Sequence, residues 1–85
     1  MEHEMLITFR SITYAQRGER LLNGFGIRCT LQRTPRYLSE RGCGYCLRLR
    51  NGDAATAVGV LRANQVPFGK VYGMQPNGIP EEREL

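Results

Sequence analysis

Four short strands and two helices, following one another as β-α-β-β-α-β, are what this sequence predicts: a two-layer α+β domain. Three observations carry that reading. Several segments alternate apolar and polar residues with the period of a strand, and two others place small and apolar residues at helical spacing. Turn and cap residues punctuate the boundaries between them. With 85 residues, of which 41% are hydrophobic, the chain has material for one core and no room for a separate substrate domain.

Residues 5–10 alternate, with Met5, Ile7 and Phe9 on the core face. Thr13 and Gln16 have the spacing of a capping box, and Ala15, Gly18, Leu22 and Phe25 then follow at helical intervals. Asn23, Gly24 and Gly26 stop this helix. Residues 27–33 form the second strand, with Ile27, Cys29 and Leu31 inward, and Pro35 breaks it. The third strand covers residues 45–50, with Tyr45, Leu47 and Leu49 inward and Cys46, Arg48 and Arg50 outward.

Asn51-Gly52-Asp53 reads as a turn and a helix cap. Ala54, Ala57, Val58 and Leu61 then lie at i, i+3, i+4 and i+7, and Pro67 closes the second helix. Residues 68–74 make a fourth strand, interrupted by Gly69 and Gly73. The resulting order is the ferredoxin-like pattern, with an antiparallel four-stranded sheet and both helices on one face. Residues 1–75 are assigned to this domain, and 76–85 to a flexible charged tail. The mid-helix glycines Gly18 and Gly59 each cost about 1 kcal/mol against alanine, which close packing of the helices explains.

The charge is unevenly spread. Between positions 5 and 80 there are eleven cations against Glu19, Glu40 and Asp53, a net of +8, and every cation of the chain except Lys70 is arginine. Such a body suits an acidic partner, a nucleic acid or a field that favours thiolates, besides the plainer reading of a soluble basic surface. The N-terminal residues are acidic, and the apolar run that follows is too short for a signal core or a membrane span. Three cysteines fit poorly with an extracellular disulfide framework, so the expected compartment is the cytoplasm.

Chemistry concentrates in residues 34–46, which join the second and third strands. A hairpin connection usually needs two to five residues. This one is more than twice as long and holds Arg36, Arg41, Gly42, Cys43 and Gly44 before Cys46. Cys43 and Cys46 form a CxxC that leads into a strand, so no helix N-terminus is available to stabilise a thiolate. Arg36, Arg41 and Arg48 are the candidate sources of positive charge, and Gly42 and Gly44 give the sulfur of Cys43 freedom of approach. Were the segment fully extended, the two Cα atoms would stand about 10 Å apart, beyond disulfide reach, so a bond between them needs a turn at Gly44.

Two other uses of these residues compete with thiol chemistry. A zinc site would take Cys43 and Cys46, with Cys29 and His3 completing a mixed set, but Cys29 falls on an apolar strand face and no second CxxC exists. A basic RNA-binding or protein-interaction module has the right fold and charge. Its weakness is the missing aromatic stacking platform on the central strands, to which Tyr37 or Tyr72 would contribute one ring. The lone histidine at the terminus argues against a Cys-His nucleophile pair, and no cofactor is expected.

Leu6-Ile-Thr-Phe-Arg-Ser11, then Thr34-Pro-Arg-Tyr-Leu-Ser39, then Cys43-Gly44 resemble the small bacterial selenium/sulfur (Se/S) carrier protein-like family, over roughly residues 5–72. The resemblance implies that Cys43, before its glycine, is the carrier position and that protein donors and acceptors of sulfur or selenium are the partners. Carriage rests on a persulfide or perselenide formed at a thiolate and passed to another nucleophile. Cys46 stands where the family pattern has a small or apolar residue. It is either a resolving partner for Cys43 or incidental on its strand. A homodimer through a sheet edge is compatible with so small a domain.

Overall fold

A computed structural model describes residues 4–35, 44–75, 78 and 80–84. Five strands form one antiparallel sheet: β1 (Glu4–Phe9), β2 (Cys29–Arg33), β3 (Tyr45–Arg50), β4 (Val71–Met74) and β5 (Pro80–Arg83). Their order across the sheet is β2-β3-β1-β4-β5, and every neighbouring pair is antiparallel. The two helices are α1 (Ile12–Gly24) and α2 (Ala54–Ala63). The β-α-β-β-α-β order is therefore present with one strand added.

That fifth strand, within the segment 76–85 expected as a tail, raises the expected four strands to five. Pro80–Arg83 pairs with β4 through Tyr72 opposite Glu82 and Gly73 opposite Glu81. Its sequence has no apolar alternation, because an edge strand is held by backbone ladder bonds rather than by a buried face.

The α1 boundary also differs. Ser11 caps the helix, its Oγ accepting the Tyr14 N–H at 3.2 Å, two residues before the expected Thr13 box. At the other end the N–H groups of Phe25 and Ile27 both reach the Leu22 carbonyl, at 3.0 and 2.9 Å. Gly26, at φ 79°, makes the reversal that allows this. At α2 a short 3-10 turn over Asn51–Asp53 feeds the helix, and the Asp53 side chain makes no cap bond.

Both helices pack on one face of the sheet. Met5, Ile7 and Phe9 of β1, Leu47 and Leu49 of β3 and Val71 of β4 meet Ala15 and Leu22 of α1 and Ala57, Val58 and Leu61 of α2. The inward sides expected for β1, β3 and α2 are those observed. Alternation alone left one thing unread: β1 is buried on its other side too, at Leu6 and Thr8.

The two mid-helix glycines part company. A Cβ on Gly18 would stand 3.1 Å from Phe9 Cζ and 3.3 Å from both Leu47 Cδ1 and Leu61 Cδ2, so here glycine permits close packing. Gly59 is exposed, and a Cβ there meets nothing within 4 Å. Close approach therefore does not explain Gly59. Gly59→Ala is expected to stabilise the fold by about 1 kcal/mol, read as a higher urea midpoint at unchanged slope. An unchanged midpoint would show that the helix gains nothing from the methyl group.

Candidate thiol site on the helix-free sheet face

The face of the sheet turned away from the helices carries the outward residues of each strand. On β3 these are Cys46, Arg48 and Arg50, in line after Gly44. The ladder fixes their neighbours: Cys46 lies opposite Thr8 of β1 and Gln32 of β2, and Arg48 opposite Leu6 and Thr30. Cys46 thus sits on this face near the start of β3, the strand next to the β2 edge, on the side where the strand alternation placed it.

Its exposure is the unexpected part. Cys46 has no solvent-accessible surface and forms a second small apolar cluster with Leu6, Tyr72 and the half-buried Met74. Burial pushes the Cys46 thiol above its ordinary pKa, against smaller opposing effects from the side chains of Thr34 and Gln32 and from the Arg48 charge. In this state Cys46 is a sheltered, protonated sulfur.

Arg48 favours the Cys46 thiolate, as the smallest of the effects that oppose burial. Its Nε stands 3.3 Å from a Glu4 carboxylate oxygen, with both side chains about half exposed. An exposed pair of this kind is worth at most about 1 kcal/mol. For the thiol, the nearby carboxylate also offsets part of the arginine's field.

Gly44 closes the connection between β2 and β3. Its carbonyl accepts the Thr34 N–H at 3.0 Å, which ties the two ends of the long segment together next to Cys46. Cys43, Arg36, Arg41 and Gly42 lie outside the described residues. The chain itself places Cys43 one residue beyond this tie.

Hydroxyls around Cys46 have different commitments. Thr8, directly opposite, has Oγ1 accepting the Lys70 N–H at 2.8 Å and donating to the Lys70 carbonyl at 3.3 Å. Thr34 Oγ1 is shut off from water and lies within hydrogen-bond geometry of no partner. Its pull on the Cys46 sulfur is therefore that of a nearby hydroxyl dipole rather than a formed bond. Neither Thr34 nor Gln32 stood out in the sequence. Both become legible only once the β2–β3 register is known.

Cys29 belongs to the other face. It packs against the main core, its Sγ–H donates to the Glu19 carbonyl at 4.0 Å, and burial with the adjacent Glu19 charge pushes its pKa up to about 11. Cys29 and Cys46 open on opposite sides of the sheet, so the mixed zinc set containing both is not assembled. Among the described residues no three metal-binding side chains converge. Of the two rings the RNA reading would use, Tyr72 is only 7% exposed, and Tyr37 lies outside the described residues.

The arrangement is that of a small α+β thiol domain, with one sulfur sheltered beside the closure of a cysteine-bearing connection. Residues 4–73 match the family model described as "Putative Se/S carrier protein-like", and the chain belongs to that family. No curated protein matches it, and neither does any solved structure. Among the described residues no helix is long and apolar enough to cross a membrane.

Proposed function

We propose that this chain carries sulfur or selenium on Cys43 as a persulfide or perselenide, with Cys46 as the resolving thiol. The observation that carries the reading is family membership over residues 4–73, which spans the cysteine-bearing connection. Geometry adds support. The Thr34–Gly44 bond holds the ends of that connection within a few residues of Cys46, at the edge of a ferredoxin-like sheet extended by β5.

Loading is a single exchange. The Cys43 thiolate attacks the terminal sulfur or selenium of a donor persulfide or its selenium analogue, that atom's bond to the donor breaks, and the donor leaves as a thiolate. Delivery repeats the step with an acceptor nucleophile in place of Cys43. Resolution differs: the Cys46 sulfur, as thiolate, attacks Cys43 Sγ and expels hydrosulfide or hydroselenide. A Cys43–Cys46 disulfide forms, which an external dithiol reduces. The burial of Cys46 keeps this last step slow at rest and so protects the cargo. Arg36, Arg41 and Arg48 supply positive charge, and Gly42 and Gly44 give Cys43 room. The partners are cytoplasmic donor and acceptor proteins, and a homodimer through a sheet edge fits the edge strand β2.

Intact mass after incubation with a low-molecular-weight sulfane or selenosulfide donor, with and without reductant, tests the reading. The protein is expected to gain the mass of one sulfur or selenium atom, reversibly. Cys43→Ser should remove the gain, and Cys46→Ser should keep it and lengthen its life. Uptake that survives Cys43→Ser would assign the cargo elsewhere.

A further inference from the structure

A buried hydroxyl without a partner is costly, because it has given up water and received nothing in return. Thr34 is 8% exposed, and its Oγ1 is in that position. By contrast Thr8, at 1% exposure, spends its hydroxyl on the Lys70 backbone. Thr34 follows Gln32 on the same side of its chain, one step along from the residue facing Cys46, and its own neighbour across the ladder is Gly44. A glycine there has no side chain to stand between the hydroxyl and the sulfur.

We propose that Thr34 is a positioning residue for Cys46, its hydroxyl donating a hydrogen bond to Cys46 Sγ whenever that sulfur carries negative charge. A neutral thiol offers a weak acceptor, so the hydroxyl stands idle in the resting protein. A thiolate is a strong one, and charge-assisted bonds are roughly twice as strong as neutral ones. The side chain of Gln32 lies on the same side of the sulfur. The smaller effects that oppose the burial of Cys46 come from these two groups and from Arg48.

Of the other ionisable groups on this face, Arg50 lies at the far end of β3 opposite Glu4, and Arg10 is exposed just past the end of β1. Arg48 is paired with Glu4, Lys70 with Glu82, and Tyr72 is buried in the apolar cluster. Thr34 is thus the donor that becomes useful when Cys46 ionises. In the carrier reading, on which the purpose of this device rests, it readies the resolving sulfur at the moment that sulfur is called on.

The test uses no cargo, so its outcome is independent of whether uptake occurs. In a Cys29→Ser, Cys43→Ser protein, where Cys46 is the sole thiol, the rate of alkylation by iodoacetamide is followed from pH 7 to 11, alone and with Thr34→Val or Thr34→Ser added. Thr34→Val is expected to slow the reaction about tenfold at pH 8 and to displace the profile to higher pH, with the plateau rate unchanged. Thr34→Ser should follow the parent profile. The melting temperature of Thr34→Val should hold level or rise, since an idle buried hydroxyl has been replaced by a methyl group. A Thr34→Val profile that superimposes on the parent, a serine variant that behaves like the valine one, or a lowered melting temperature would each overturn the assignment.

Discussion

Gly18→Val is expected to cost about 3 kcal/mol of stability, enough to unfold a large share of so small a domain near its melting range. The cause is local. A Cβ at this position lands 3.1 Å from Phe9 Cζ of β1 and 3.3 Å from Leu47 Cδ1 of β3 and from Leu61 Cδ2 of α2. All three neighbours are fully buried, so none can swing away into solvent. Valine adds two methyl groups to the crowded point and is stiff at χ1 within a helix. Gly18→Ala should fall between the parent and the valine variant, because its gain in helix propensity of about 1 kcal/mol offsets part of the crowding. Urea denaturation of the three proteins checks the order. A valine variant with the parent midpoint would mean that the two layers are not closely packed here.

The second large effect concerns thiol reactivity. In the folded protein Cys43 is expected to react with a limiting alkylating reagent at least a hundred times faster than Cys29 at pH 8. A thiol with its pKa near 11 is about one-thousandth thiolate at that pH, against about one-tenth for one at the ordinary 9.0. Cys46 should be slower than its thiolate fraction alone implies, because it has no surface for the reagent to meet. The same shifts act on stability. Folding favours the protonated form of Cys29 and Cys46, so their contribution is complete below about pH 9. It is lost as the pH rises toward about 11 for Cys29. Cys29→Ala should flatten that alkaline decline. Peptide mapping after brief labelling measures the order, and rapid labelling of Cys46 in the folded state would contradict its shelter.

Much of the fold was legible where one face of an element decides its sequence. β3 falls on residues 45–50 as expected, with Tyr45, Leu47 and Leu49 turned to the helices. The α2 spacing of Ala54, Ala57, Val58 and Leu61 likewise gave its buried side. β5 was not legible, because pairing at an edge is done by peptide groups that every sequence has. Gly59 misled because a helical glycine tells nothing of its surroundings, and the packing that explains Gly18 is absent at Gly59. At the site, alternation gave the side on which Cys46 lies but not its burial, since period two separates faces without saying what each face meets. Thr34 depended on register, which no local pattern encodes.

Strand β1 has consequences for motion. It is paired on both edges, with β3 and with β4, and five of its six residues are buried. Amides in such a strand exchange with solvent only when the whole domain opens. Cys46 is held across the ladder from Thr8 of this strand, on β3, which is itself paired on both edges. On the proposed carrier reading, release of the sulfur to a reaction partner is therefore not expected from sheet breathing. The backbone beneath the sulfur stays closed, and any timing of its chemistry is set by side chains moving over a fixed floor.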